Sequence, residues 1–240
     1  MHCMRCGRLS AETDKFCAEC GMFLRDAWVD QRLLLALRHE RDGLYRQART
    51  ELERLLESEP DNVLANHLLG TLLFHQGLMD DAIRSYTKAV AQAPRFILAH
   101  YDLGVAWFHR GNMPEAIRAF QRCLETDPDY NAAHYRLAIA LFHAGELDLA
   151  REHFEKCALL TPEYLMARYH IGVIYERQGR LDAAAREFER SIDEGVGEAS
   201  SLFHLAKIRE VQGDVEGALR LLERARQFGK AHMNATLDRR

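Results

Sequence analysis

The sequence predicts an all-α fold, an array of six helical hairpins, and three columns of residues predict it. Sliding the chain by 34 residues superimposes Gly43, Gly77, Gly111, Gly145, Gly179 and Gly213. Five places further on, Ala48, Ala82, Ala116, Ala150, Ala184 and Ala218 form a second unbroken column. Pro60, Pro94, Pro128 and Pro162 form a third, towards the end of each unit. A fixed period in the thirties marks stacked helix pairs, each of which buries its apolar face only against its neighbours.

Residues 1–25 precede the array and differ from it. They carry Cys3-x-x-Cys6-Gly7 and, after ten residues, Cys17-x-x-Cys20-Gly21. Two residues between cysteines let both sulfurs reach one ion, and two such pairs complete a tetrahedral set of four thiolates. A thioredoxin-like redox pair would need a βαβ context, which this sequence lacks. Ordering about 25 residues costs on the order of 1.5 kcal/mol each, far more than Phe16 and Phe23 offset. A structural zinc contributes roughly 10–16 kcal/mol in small fingers, so folding here is expected to depend on metal. The segment resembles the short zinc ribbons that open many bacterial and archaeal proteins, with the Phe16-Cys17-x-x-Cys20-Gly21 ending intact. The expectation is one structural Zn2+ on Cys3, Cys6, Cys17 and Cys20. Iron in a rubredoxin-like site and a redox-labile switch are the alternatives. Residues 26–28, ending in Trp28, are a linker.

The units run 29–62, 63–96, 97–130, 131–164, 165–198 and 199–232, leaving a polar tail at 233–240. In each first helix the seventh place is aliphatic (Leu35, Leu69, Leu103, Leu137, Ile171, Leu205) and the eighth is small (Ala36, Gly70, Gly104, Ala138, Gly172, Ala206). Helices approach closely only over small side chains, so the arms of each hairpin are expected to cross there. Four residues after the recurring alanine the second helix carries Leu52, Tyr86, Phe120, Phe154, Phe188 or Leu222, on the same helix face. The prolines end the second helices. The fifth and sixth units lack them, with Val196 and Lys230 at that place.

This pattern, over residues 29–232, is similar to the tetratricopeptide repeat family. The resemblance implies a right-handed superhelical array whose first helices line a concave groove for peptides or extended segments. Groove-facing places then hold His67, Tyr101, Tyr135, Tyr169 and Phe203 in one column, and Phe74, Phe108 and Phe142 in a second, which changes to Glu176 and Glu210. Beside these run His75, His109 and His143, changing to Arg177. The sixth place adds Asp102, Arg136, His170 and His204. Such a floor suits an apolar or aromatic segment with a few polar anchors; the same aromatics also read as ordinary core. Members that clamp chaperone tails need asparagine where this sequence has Thr71, Val105, Ile139 and Val173, so that ligand is not expected. Adjacent helices pack roughly 8–10 Å apart and Zn–N bonds are about 2.0–2.1 Å, so His75 and His143 are not expected to share an ion. Cys123 and Cys157 stand where sister repeats have Ala89, Ser191 and Ala225, and read as small buried fillers.

Composition narrows the function. A net charge of −4 offers no basic field for nucleic acid or anionic lipid. No apolar run approaches the roughly 18 residues of a membrane helix, and from the opening MHCMRCG no signal peptide is expected. Reduced cysteines suit the cytoplasm. There is no Gly-rich phosphate loop, His-Glu-x-x-His or nucleophile elbow, so no enzyme is expected. The expected function is a protein–protein interaction adaptor that binds a partner segment in the groove. The alternative is a nucleic-acid or transcription-associated factor using the ribbon, against which residues 1–25 set four basic and three acidic residues. Self-association through the C-terminal repeat is left open.

Overall fold

A computed structural model describes residues 9, 17, 30–160, 166–195 and 198–237, and every regular element among them is an α-helix. The cysteine module at 1–25 and the linker at 26–28 therefore lie outside the described residues, apart from Leu9, which is exposed, and Cys17, which is fully buried. The chain divides into two compact units, Met1–Ala140 and Leu141–Arg240.

In the first unit, hairpins form from α1 (Gln31–Arg41) and α2 (Tyr45–Ser58), α3 (Val63–His75) and α4 (Met79–Gln92), and α5 (Ile97–His109) and α6 (Met113–Thr126). Each helix packs on the next along the chain, and α3 also touches α5. Helix α7 (Asn131–Ala144) spans the division between the units. The second unit continues with α8 (Leu147–Leu160), α9 (Met166–Arg177), α10 (Leu181–Asp193), α11 (Glu198–Val211) and α12 (Val215–Leu237), again packed successively. Helix α12 runs past residue 232, so residues 233–237 of the segment read as a tail are helical.

The hairpin turns share one backbone device. In the third repeat Gly111 takes φ +82, its N–H donates to the Phe108 carbonyl, and the Asn112 N–H reaches back to the Trp107 carbonyl. The last carbonyls of α5 are thereby satisfied, and only a residue tolerant of positive φ can stand at the corner. The missing proline of the fifth repeat has a counterpart in Gly195, whose φ of +79 stops α10 at Asp193.

Packing inside the hairpins follows the small-to-large pairing. A Cβ added at Gly104 would lie 2.6 Å from Phe120 Cε1, and one at Gly172 would lie 2.7 Å from Phe188 Cε1. The opposing rings are buried throughout: Tyr86, Phe120, Phe154 and Phe188 are at most 2% exposed. Leu222, in the same column, is 40% exposed.

Two polar devices tie repeats together. Asn66 Nδ2 donates to the Pro60 carbonyl at 2.8 Å, and His100 and His134 use Nε2 on the Pro94 and Pro128 carbonyls, each at 2.9 Å. All three side chains are buried, and each answers a carbonyl in the turn that proline ends. Burial holds His100 below the ordinary histidine range despite the opposing pull of the Pro94 carbonyl. On the surface, Arg110 Nε donates to Asp80 Oδ1 at 2.7 Å, Gln178 Nε2 to Asp148 Oδ1 at 2.9 Å and Gln212 Nε2 to Asp182 Oδ1 at 3.1 Å.

Candidate functional site

The first helices hold the candidate groove residues. In the first unit α3 and α5 carry Phe74 and Phe108, both half-buried, with His75 and His109 exposed beside them. The Phe74 and His109 rings meet edge to face, 5.4 Å between centroids. Partly covered phenylalanines beside exposed histidines make a mixed environment suited to apolar contact with some directional preference.

The fifth and sixth places turn out to be linked between repeats. His67 Nε2 lies 2.8 Å from Asp102 Oδ2. Tyr169 Oη lies 3.2 Å from His204 Nε2. Both links join residues 35 apart, the fifth place of one repeat with the sixth of the next. Tyr101 instead packs by its ring, 5.9 Å from Phe120 and 5.7 Å from Tyr130. Tyr135 and Arg136 are half-buried on α7. Below this surface the Tyr86 hydroxyl donates to Thr71 Oγ1 at 3.2 Å, and burial raises the phenol well above its ordinary value.

The second unit differs in chemistry. Phe142 lies beneath the Arg177 guanidinium, 4.1 Å from the ring centroid, a cation–π contact. His143 is exposed. His170 stacks on Phe154 at 4.9 Å, and His204 on Phe188 at 5.0 Å. Glu176 accepts from His204 Nδ1 at 2.6 Å and from Lys207 Nζ at 2.8 Å. Burial pushes the Glu176 carboxyl up, but the bonds from Lys207 and His204 outweigh it and hold it below the usual range. Sequence reading singles out neither Lys207 nor the buried donors Asn66, His100 and His134. The fourth place does leave a signal, a polar residue held among apolar neighbours in three successive repeats.

Among the described residues, no group of three or more His, Cys, Asp or Glu side chains is arranged to hold a metal ion. Cys3, Cys6 and Cys20 lie outside the described residues. Cys123 is buried with its thiol 3.1 Å from the Ile97 carbonyl, and burial pushes it far above the ordinary thiol range; a thiol so held is no nucleophile. Cys157 is likewise buried. An open cleft of about 630 Å3 lies at the turn end of α3 and α4, lined by Asp80, Asp81, Arg84, His109 and Arg110. The Arg110–Asp80 pair is part of its lining, which is polar. No described helix is long and apolar enough to cross a membrane.

The sequence matches the family described as Tetratricopeptide repeat over residues 33–95, 80–131, 111–158, 158–199 and 174–232. No curated protein matches it. Among solved structures it is similar to that of MamA, with 30% identity over 68% of this chain and 88% of that one, at a TM-score of 0.66. YrrB, described as a TPR protein with an unusual peptide-binding site, is 20% identical over 78% of this chain and 97% of its own, at a TM-score of 0.64. A tetratricopeptide repeat protein from Parabacteroides merdae ATCC 43184 is 19% identical over 82% of this chain and 78% of its own, at a TM-score of 0.70. With the matches running from residue 33 to residue 232, and with glycine-cornered hairpins in both units, this chain belongs to the tetratricopeptide repeat family.

Proposed function

We propose that this protein is a non-enzymatic adaptor that holds a segment of a partner protein against its first helices. One observation carries the reading. Stacking is accounted for by the eighth-place Gly and Ala and the buried rings opposite them, yet Phe74, Tyr101 and Phe108 remain only half-buried on the first helices, with His75 and His109 exposed beside them. Aromatic side chains left partly open on one face are the usual anchors of a recognition surface. YrrB, similar in fold, has a peptide-binding site, which fits the same use of the scaffold. Affinity capture with wild type and with Tyr101→Ala/Tyr135→Ala tests the proposal: partners are expected to be lost from the variant. An unchanged partner list removes this face as the recognition surface.

Within the same reading, the N-terminal cysteines form a structural zinc site. The donor set fits: four thiolates in two Cys-x-x-Cys pairs match the ligand preference of Zn2+ and leave no open coordination position, and Cys17 is fully buried. Bound zinc supplies the cross-link that a segment with two phenylalanines cannot replace by burial. The reduced thiolates suit a cytoplasmic setting.

A further inference from the structure

We propose that Arg136, together with the Tyr101 hydroxyl, recognises a carboxylate in the partner segment, and that the segment carries an apolar side chain about three residues from that acid. This rests on the adaptor reading above and specifies its ligand.

The register gives the first ground. The fifth place of one repeat meets the sixth place of the next, at 2.8 Å for His67 and Asp102 and at 3.2 Å for Tyr169 and His204. The same 35-residue step relates Tyr101 to Arg136. Packing agrees, because Ala133 at the start of α7 shares one core cluster with Ile97 at the start of α5, and Tyr101 and Tyr130 lie against it. Arg136 is three residues beyond Ala133 on α7, on the same side of that helix.

The second ground is what this pair leaves unused. His67 and Asp102 satisfy one another, and in the second unit Glu176 is satisfied by His204 and Lys207. Tyr101 makes ring contacts only, and among the described residues neither its hydroxyl nor the Arg136 guanidinium has a hydrogen-bond or ion-pair partner. Both residues are half-buried. A guanidinium presents a planar fork of donors that matches a carboxylate, and partial desolvation strengthens that pairing. The nearest acid in sequence to Tyr101, Asp102, is held by His67 and leaves Arg136 unneutralised.

The spacing of the motif follows from helix geometry. Tyr101, Val105 and Phe108 lie along one face of α5, and seven residues of helix advance about 10 Å. Three residues of extended chain span about the same length. A segment whose acid meets Arg136 and Tyr101 therefore brings the third residue along to Phe108, where an apolar side chain is accepted.

Phage display of random dodecapeptides on the full chain tests this directly. Enriched clones are expected to share Asp or Glu three residues from Leu, Ile, Phe, Tyr or Trp. A synthetic peptide from the most enriched clone is then measured by fluorescence anisotropy. Replacing its acid by the amide is expected to weaken binding at least tenfold. Arg136→Gln is expected to do the same to the acidic peptide and to leave the amide peptide unchanged, whereas Arg136→Lys keeps most of the affinity. Circular dichroism melts check that the variants fold, and the change made in the peptide keeps the test decisive if Arg136→Gln does not. Enrichment without an acid, or acidic peptides indifferent to Arg136→Gln, overturns the carboxylate site; the adaptor reading survives that result if Phe108→Ala abolishes binding. Absence of any enrichment overturns both.

Discussion

The imidazole of His170 lies flat on the ring of Phe154, with 4.9 Å between centroids and 13° between planes. The next repeat repeats the arrangement with His204 on Phe188, at 5.0 Å and 16°. In each case a sixth-place histidine covers the large ring of the preceding hairpin, so residues that read as groove lining also seal the stack.

That burial, with the charge of His143 adding to it, holds His170 down to about 4. The unfolded chain protonates it near the ordinary 6.5. Stability is therefore whole above pH 6.5 and falls between 6.5 and 4, because there the unfolded state binds the extra proton; the loss is on the order of 3 kcal/mol. His100, also held below its ordinary value, acts in the same direction. Urea unfolding at pH 7 and pH 4.5 is expected to show a large drop in midpoint for wild type and a smaller one for His170→Phe.

Gly104→Ala is expected to destabilise. The new methyl would sit 2.6 Å from Phe120, whose ring is fully buried and has nowhere to retreat. Overpacking costs about 1–3 kcal/mol, and the better helix propensity of alanine returns at most about 1 kcal/mol. A lowered urea midpoint with an unchanged slope checks this, since an altered slope would point to a changed unfolded state instead.

Asn66→Leu is expected to cost about 0.5–1.5 kcal/mol, because it removes the bonds of the buried Asn66 amide to the Pro60 and Asn62 carbonyls. Asn66→His is expected to cost less, since His100 and His134 make the same contact in the following repeats. Removing the exposed Asp80–Arg110 pair by Asp80→Asn should cost no more than about 0.5 kcal/mol. Thermal melts of the three variants give the ranking.

Metal analysis of purified protein is expected to give one zinc per chain, reduced to none in Cys3→Ser/Cys6→Ser. Removing two thiolates leaves too few ligands for a closed tetrahedral site, while the hairpins from residue 30 onward should keep their helical circular dichroism. A wild-type zinc content well below one sinks the assignment.

The hairpins were legible because their rules concern side-chain size at a fixed spacing. Gly104 facing Phe120 and Gly172 facing Phe188 follow from the 34-residue columns alone. The fourth-place donors were harder to see, because Asn66, His100 and His134 answer a backbone carbonyl, and a carbonyl leaves no mark in the sequence. For the candidate groove residues the sequence shows columns but not which side chains are already engaged. Columns place Asp102 and His204 on the same face as Tyr101 and Arg136, but only coordinates distinguish the first two, already engaged by His67 and Glu176, from the second two. The length of α12 was missed for a different reason. Residues 233–237 carry no proline or glycine to stop a helix, but they lie beyond the last 34-residue unit, where the repeat pattern gives no bound.

A last consequence concerns the corner glycines. At Gly111 a Cβ would meet nothing within 4 Å, so most L-amino acids are strained there by backbone handedness and not by crowding. A mirror-image residue has the opposite handedness and adopts positive φ at rest. D-alanine introduced at Gly111 by chemical ligation should therefore fit the turn and restrict the unfolded chain, raising stability by about 0.4–1 kcal/mol. The same corner recurs in every hairpin, which makes this scaffold one that synthesis could stiffen repeat by repeat without altering the faces of its first helices.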